Sequence, residues 1–262
     1  MALASCAASD SAPTPETTTT ILSLNPCLDA ILVSVAGDEQ QVILSHYSHD
    51  PAASSIPQDI AHQFEITGGT VEEVLAADPD LVLASAFLDP ATAKALADLD
   101  MPVASFGIAS TLDEDIAQTL SVSEAVGKPE LGRMLADAMR DSVEQHRPAP
   151  GTRPISTVLW QAGEIVPGNA TLIAELLREM GFANHSETLG LGQADRLPLE
   201  LLVANPPDLV LIAGDSAGQT HPLLGALPGT RVEHFDPTLF YCGGPSVLGA
   251  VDRLAEIRRG FE

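Results

Sequence analysis

The sequence predicts an α/β protein of two similar lobes, each built on a parallel sheet and joined to the other by one long helix. Three observations carry this. Thr70–Ala84 reads TVEEVLAADPDLVLA and Pro198–Ile212 reads PLELLVANPPDLVLI; aligned without a gap, they share Glu72/Glu200, Ala76/Ala204, Pro79/Pro207, Asp80/Asp208, Leu81/Leu209, Val82/Val210 and Leu83/Leu211. One repeat at half the chain length describes two like lobes, whereas a solenoid would repeat every ~20–50 residues. Each copy runs from a short helix into a continuous apolar stretch, Leu81–Leu83 or Leu209–Ile212, as expected of a strand buried on both faces. Between the copies, Pro129–Arg147 keeps helical periodicity over roughly 27 Å at about 1.5 Å per residue.

Composition narrows the function. A chain of 262 residues has room for two real cores, and with 45% apolar but only 4% aromatic residues those cores are aliphatic. No stretch approaches the ~18 apolar residues of a membrane span. Thirty-six acidic residues against 12 basic give a formal charge of −24, which argues against nucleic acid and anionic membrane surfaces as partners. Solubility alone explains such acidity, so it identifies no ligand.

Taken in order, Leu3-Ala4-Ser5-Cys6 resembles a bacterial lipobox, which makes Cys6 the expected lipidation site; a chance run of small residues is the alternative. Asp10–Thr20, rich in Ser, Thr and Pro, reads as a disordered tether. Thr20–Leu24 is the first strand, Leu28–Val35 a helix, and Gln41–Leu44 a second strand leading into the polar loop Ser45–Pro51. Thr67-Gly68-Gly69 turns into the first repeat, where Thr70 and Glu73 form a capping-box pattern and Asp78-Pro79 ends the helix. Ala91–Leu99 is a helix, Pro102–Phe106 a strand, and Leu112–Val126 a helix. In the long helix, Leu131, Leu135, Ala138, Met139 and Val143 form the expected buried face. The second half repeats the logic: strand Thr157–Trp160, helix Leu172–Met180 stopped by Gly181, a loop Leu189–Asp195, then the repeat with Pro198 at the first helical position. A last strand, Arg231–Phe235, and a helix opened by Gly243-Gly244-Pro245 close the chain.

The strand ending in SLNPCLDAIL, the SHYSHDPAAS loop, GGTVEEVLAADPDLVLA, the long helix and the second ELLVANPPDLVLI together resemble an ABC-importer substrate-binding protein of the group that serves cobalamin, iron–siderophores and heme. The resemblance runs from about Ile21 to the C-terminus. It implies two Rossmann-like lobes over 21–128 and 148–262, joined by a backbone helix at 129–147 and preceded by a lipobox remnant and tether over 1–20. It further implies a periplasmic monomer, lipid-anchored where Cys6 is modified, without a cofactor or resident metal, which hands its ligand to a membrane permease. The family places one acid on each lobe to meet permease arginines, and Glu72 and Glu200 match those positions. Their alternative role is to stabilise the helix dipole.

Ligands of open α/β sheets sit beyond the carboxyl ends of strands. That rule selects Asn25, Cys27, His46, Tyr47, Thr67, Trp160, Gln161, Gln193, Asp215, Tyr241 and Cys242 as cleft candidates. Trp160 would stack on a planar ligand or pack between the lobes. His46 would ligate a metal centre, hydrogen-bond an amide, or simply be solvated. Cys27 and Cys242 allow a disulfide, a soft metal site or two separate thiols.

The first half holds only Lys94 as a cation before Lys128. Anionic siderophores and heme propionates are usually held by Arg or Lys, so this favours a neutral corrinoid; Arg196 and Arg231 are the cations an anionic siderophore would use. No nucleophile–base pair or metal triad supports an enzyme. A sensory or scavenging ectodomain is the other reading, and it would not need the Glu72/Glu200 pair.

Overall fold

The computed structural model describes residues 18–261. Cys6 and the expected tether up to residue 17 lie outside the described residues. The first lobe contains β1 (Thr19–Ser23), α1 (Pro26–Val35), β2 (Gln40–Ser45), α2 (Gln58–Ala61), β3 (Glu65–Thr67), α3 (Val71–Ala77), β4 (Leu81–Ser85), α4 (Pro90–Asp98) and β5 (Val103–Phe106). Helices α5 (Leu112–Ala125) and α6 (Pro129–His146) lead to the second lobe. That lobe holds β6 (Ile155–Gln161), α7 (Leu172–Glu179), β7 (Phe182–Asn184), α8 (His185–Thr188), α9 (Leu199–Ala204), β8 (Leu209–Ala213), β9 (Arg231–His234) and α10 (Ser246–Arg259).

Both sheets are wholly parallel, in the orders β3-β2-β1-β4-β5 and β7-β6-β8-β9. Parallel neighbours need crossovers, and crossovers cover the sheet faces. Central strands therefore read as apolar runs: Val82, Leu83 and Ala84 of β4 and Leu209, Val210 and Leu211 of β8 are all buried.

The repeated phrase does the same work twice. In the first copy the Thr70 hydroxyl accepts the Glu73 N–H at 3.2 Å and the Glu73 carboxylate accepts the Thr70 N–H at 3.1 Å, which completes the capping box. Asp78, at φ 45°, ends α3 in the left-handed region that Asp tolerates better than most residues. The shared aspartate then clips the start of the neighbouring strand: Asp80 accepts the Thr20 N–H at 2.7 Å, and Asp208 accepts the Ser156 N–H at 3.1 Å. Pro198 departs from expectation by one position. It is the N-cap of α9, with ψ 148°, and Leu199 is the first helical residue.

The linking helix buries part of the stripe expected, Met139 and Val143 fully and Leu135 by half, but its inward face is turned from the rest. Gly132, Ala136, Met139 and Val143 face inward, while Leu131 and Ala138 are exposed. The reason is α5, which crosses α6 where Gly132 meets Ser123 with no space for a Cβ. Only a glycine lets the two backbones approach, and that contact sets the rotation of α6. Ile116 of α5 and Met139 of α6 join Leu159, Leu211 and Phe235 in one core, while Val122 of α5 and Val126, its C-cap, join Ile31 and Leu83 in the other. The helical link is thus part of both cores.

Candidate functional site

In a parallel sheet the crevice opens where the strand order reverses. In the first sheet that point lies between β1 and β4, and in the second between β6 and β8. Asn25 after β1, Ser85 at the end of β4 and Gln161 at the end of β6 all line one cavity between the lobes, of about 390 Å³, a size typical of small-molecule sites. Its apolar wall comes from Phe106 at the end of β5 and Ile108 just after it, Pro167, Leu172 and Leu176 around α7, and Phe240 and Tyr241 after β9. Ile108 is 74% exposed and Phe87, after β4, 73% exposed.

The polar lining is mostly uncharged, with Asp115 the one carboxyl in it among the described residues. Asn25 Oδ1 caps α1 by accepting the Cys27 and Leu28 N–H groups at 2.9 and 3.2 Å. Gln118 Nε2 donates to the Gly107 carbonyl at 2.7 Å, and Gln193 Oε1 accepts the Gly168 N–H at 2.7 Å. With Gln161 they make four carboxamides around the cavity, and among the described residues no lysine or arginine lines it. Arg196 is paired with Glu164 at 2.9 Å and Arg231 with Glu233 at 2.6 Å.

Cys27 and Cys242 form a disulfide with a Cα–Cα distance of 4.9 Å. Of the three arrangements the sequence allows, the covalent one is present, and both residues line the cavity. Beside it, Asp115 is buried with both carboxylate oxygens 2.8 Å from the Gly244 nitrogen, whose N–H they accept. Burial pushes this carboxyl up to about 6, against the pull of that hydrogen bond. Burial, then the carboxylates of Asp236 and Asp50, raise the Tyr241 phenol above its ordinary value.

Five candidates stand elsewhere. Trp160 is fully buried, its Nε1–H donating to the Leu197 carbonyl at 3.0 Å, so it offers no ring to a ligand. Successive strand residues point to opposite sides, and Trp160 turns inward where Gln161 turns to the cleft. Thr67 is buried and anchors the turn into α3 by accepting the Gly69 N–H at 3.0 Å. Asp215 is exposed outside the cavity lining. His46 and Tyr47 are also exposed and outside that lining, with ring centroids 4.0 Å apart.

Their turn is held from below by a residue that sequence reasoning missed. Asp29 Oδ2 accepts the Ser45 N–H at 3.0 Å and the Ser45 and Ser48 hydroxyls at 2.6 Å each, while Oδ1 has no partner. Burial pushes its carboxyl up to about 7, outweighing the serine hydrogen bonds that lower it. Among the described residues, no group of three or more His, Cys, Asp or Glu could hold a metal ion, and no helix is long and apolar enough to cross a membrane.

A family model described as periplasmic binding protein matches residues 21–223. None of the curated protein sequences matches significantly. Among solved structures, the periplasmic heme-binding protein RhuT from Roseiflexus sp. RS-1 is similar at 19% identity and TM-score 0.71, over 91% of this chain and 97% of that one. The periplasmic heme-binding protein HutB of Vibrio cholerae follows at 15% and 0.73, over 92% and 99%. The periplasmic vitamin B12 binding protein BtuF of Vibrio cholerae gives 20% and 0.68, over 92% and 96%.

Proposed function

The chain belongs to the periplasmic binding protein family, and on that premise we propose that it captures a metal chelate, a corrinoid such as cobalamin in the first place, between its lobes and delivers it to an ABC-importer permease. One observation carries the choice of ligand. The cavity combines apolar and aromatic walls with four carboxamides, the single carboxyl of Asp115 and, among the described residues, not one lysine or arginine. Apolar walls suit the faces of a macrocycle, and carboxamides pair with the amide side chains of a corrinoid. Heme propionates and the carboxylates or catecholates of siderophores ask instead for cations. The two arginines best placed in sequence to supply them are occupied by Glu164 and Glu233.

Heme is the second reading. It draws on the heme-binding names of two of the structural relatives and on Tyr241, a residue of the cavity lining whose phenol is a side chain able to ligate iron. A binding protein rather than an enzyme follows from the family. Delivery to a permease, rather than a sensory role, draws on Glu72 and Glu200, which are exposed at matching places on the two lobes. An absorbance scan and native mass of the purified protein with and without cyanocobalamin tests the ligand. A retained corrinoid spectrum supports it, and a Soret band acquired only with hemin favours the second reading.

A further inference from the structure

The segment Tyr241-Cys242-Gly243-Gly244 leaves the second lobe and lies on the first. The Cys242 N–H donates to Ser55 Oγ at 3.1 Å, and the Gly244 N–H donates to Asp115 at 2.8 Å. Gly244 comes so near α1 that a Cβ on it would sit 2.7 Å from Ile31 Cγ1. Two of these four residues are glycines, and Gly244 sits at φ 64°, where an L side chain would be strained. Such a stretch has the greatest conformational freedom to lose and few side chains to hold it. The covalent tie is the Cys242 side chain, bonded to Cys27 in the first turn of α1 across 215 residues of chain.

That tie is reachable. Both cysteines line the cleft and Cys27 is only partly buried, so a small dithiol arrives through the cavity without unfolding either lobe; access of this kind governs thiol–disulfide exchange.

We propose that Cys27–Cys242 is a redox latch on the binding cleft. Oxidised, it fixes the second lobe's Tyr241–Gly244 segment onto the first lobe and so fixes the cavity wall that Tyr241 provides. In the reduced state the segment is held only by its hydrogen bonds and packing, and the wall loosens. Reduction is an exchange with an external dithiol. One thiolate of the dithiol attacks a sulfur of the cystine, and the other sulfur leaves as a thiolate. The second thiol of the dithiol then displaces the mixed disulfide. The dithiol leaves oxidised as a cyclic disulfide, and the two electrons and two protons it gives up remain on Cys27 and Cys242 as two thiols. The latch acts whichever molecule the cleft takes.

Peptide-resolved hydrogen exchange on the full chain tests this, comparing the oxidised protein, the protein treated with dithiothreitol under native conditions, and a C27S/C242S variant. Peptic mapping of the oxidised protein is expected to recover Cys27 and Cys242 cross-linked, and native dithiothreitol to separate them. In the reduced protein and the variant, amides of Tyr241–Gly244 should exchange at least tenfold faster, with those of β4 and β8 unchanged. No change at Tyr241–Gly244, or a bond that yields only in denaturant, would overturn the latch. So would faster exchange throughout both lobes in the reduced protein and the variant alike, since the bond would then be a support of the whole fold.

Discussion

Glu72 and Glu200 are each the second residue of a helix, α3 in one lobe and α9 in the other, and both are exposed. Neither forms an ion pair with another described residue, whereas Glu73 beside Glu72 is tied into its capping box. A carboxylate in a first turn stabilises its helix by about 0.3–1 kcal/mol at most, so each glutamate is nearly free to serve a partner.

The double variant Glu72→Ala/Glu200→Ala should therefore bind ligand as the parent does, within about twofold, and lose less than about 2 kcal/mol of stability. On the proposed docking role of these two glutamates, uptake at limiting ligand in cells should fall sharply. Normal uptake by the double variant would remove these residues from the docking surface.

Asp29 gives an unusual pH dependence. Burial holds its folded pKa at about 7, above the ordinary 3.8. Between those values the unfolded chain has released its proton and the folded chain has kept it, so this group's contribution to stability falls as pH rises through the window and levels off above it. The slope is at most about 1.4 kcal/mol per pH unit. Asp29→Asn abolishes it. Urea titrations at pH 5 and pH 8 should show the variant gaining on the parent by about 1–3 kcal/mol as pH rises. Asp115 shifts in the same direction but is common to both proteins and cancels in the difference. An unchanging difference between the two proteins would mean that Asp29 ionises as an ordinary surface carboxyl does.

Trp160 belongs to the core. Trp160→Phe loses the hydrogen bond to Leu197 and leaves part of the site unfilled, so denaturant midpoints should report a loss of about 1–3 kcal/mol. Ligand affinity measured well below that midpoint should stay within about twofold, or about 0.4 kcal/mol, because the indole lies outside the cavity lining. A tenfold loss of affinity in the folded variant would place the indole in the binding site after all.

The strands that carry the sheets were legible because a strand covered on both faces must be apolar throughout, as Leu81–Leu83 and Leu209–Ile212 are. Outer strands β3 and β7 escape that signal: Glu65-Ile66-Thr67 and Phe182-Ala183-Asn184 are three residues long at sheet edges and show no run. At the cleft, the strand-end rule reaches Asn25, Gln161 and Tyr241. It reaches Ile108 equally, but an apolar side chain announces no chemistry in a sequence. Asp115 stands beside Asp113 and Glu114 in one helical turn, and nothing in that acidic turn says which of the three is buried against Gly244. Asp29 looks like any first-turn acid of α1 until Ser45 and Ser48 are folded over it. The rotation of α6 is hidden for a related reason: it is set by the contact of Gly132 with Ser123, and contacts between helices leave no periodic mark.

Titration calorimetry with cyanocobalamin, at low and high salt, tests the central claim most directly. A neutral macrocycle held by apolar walls and carboxamides should give a clear binding heat, with an affinity that moves less than about threefold between salts, because screening acts mainly on exposed charge pairs. In the same titration Tyr241→Ala should weaken binding by about one to two decades, or roughly 1–3 kcal/mol. No heat with cyanocobalamin, together with tight, salt-sensitive binding of hemin or a ferric siderophore, would contradict the account.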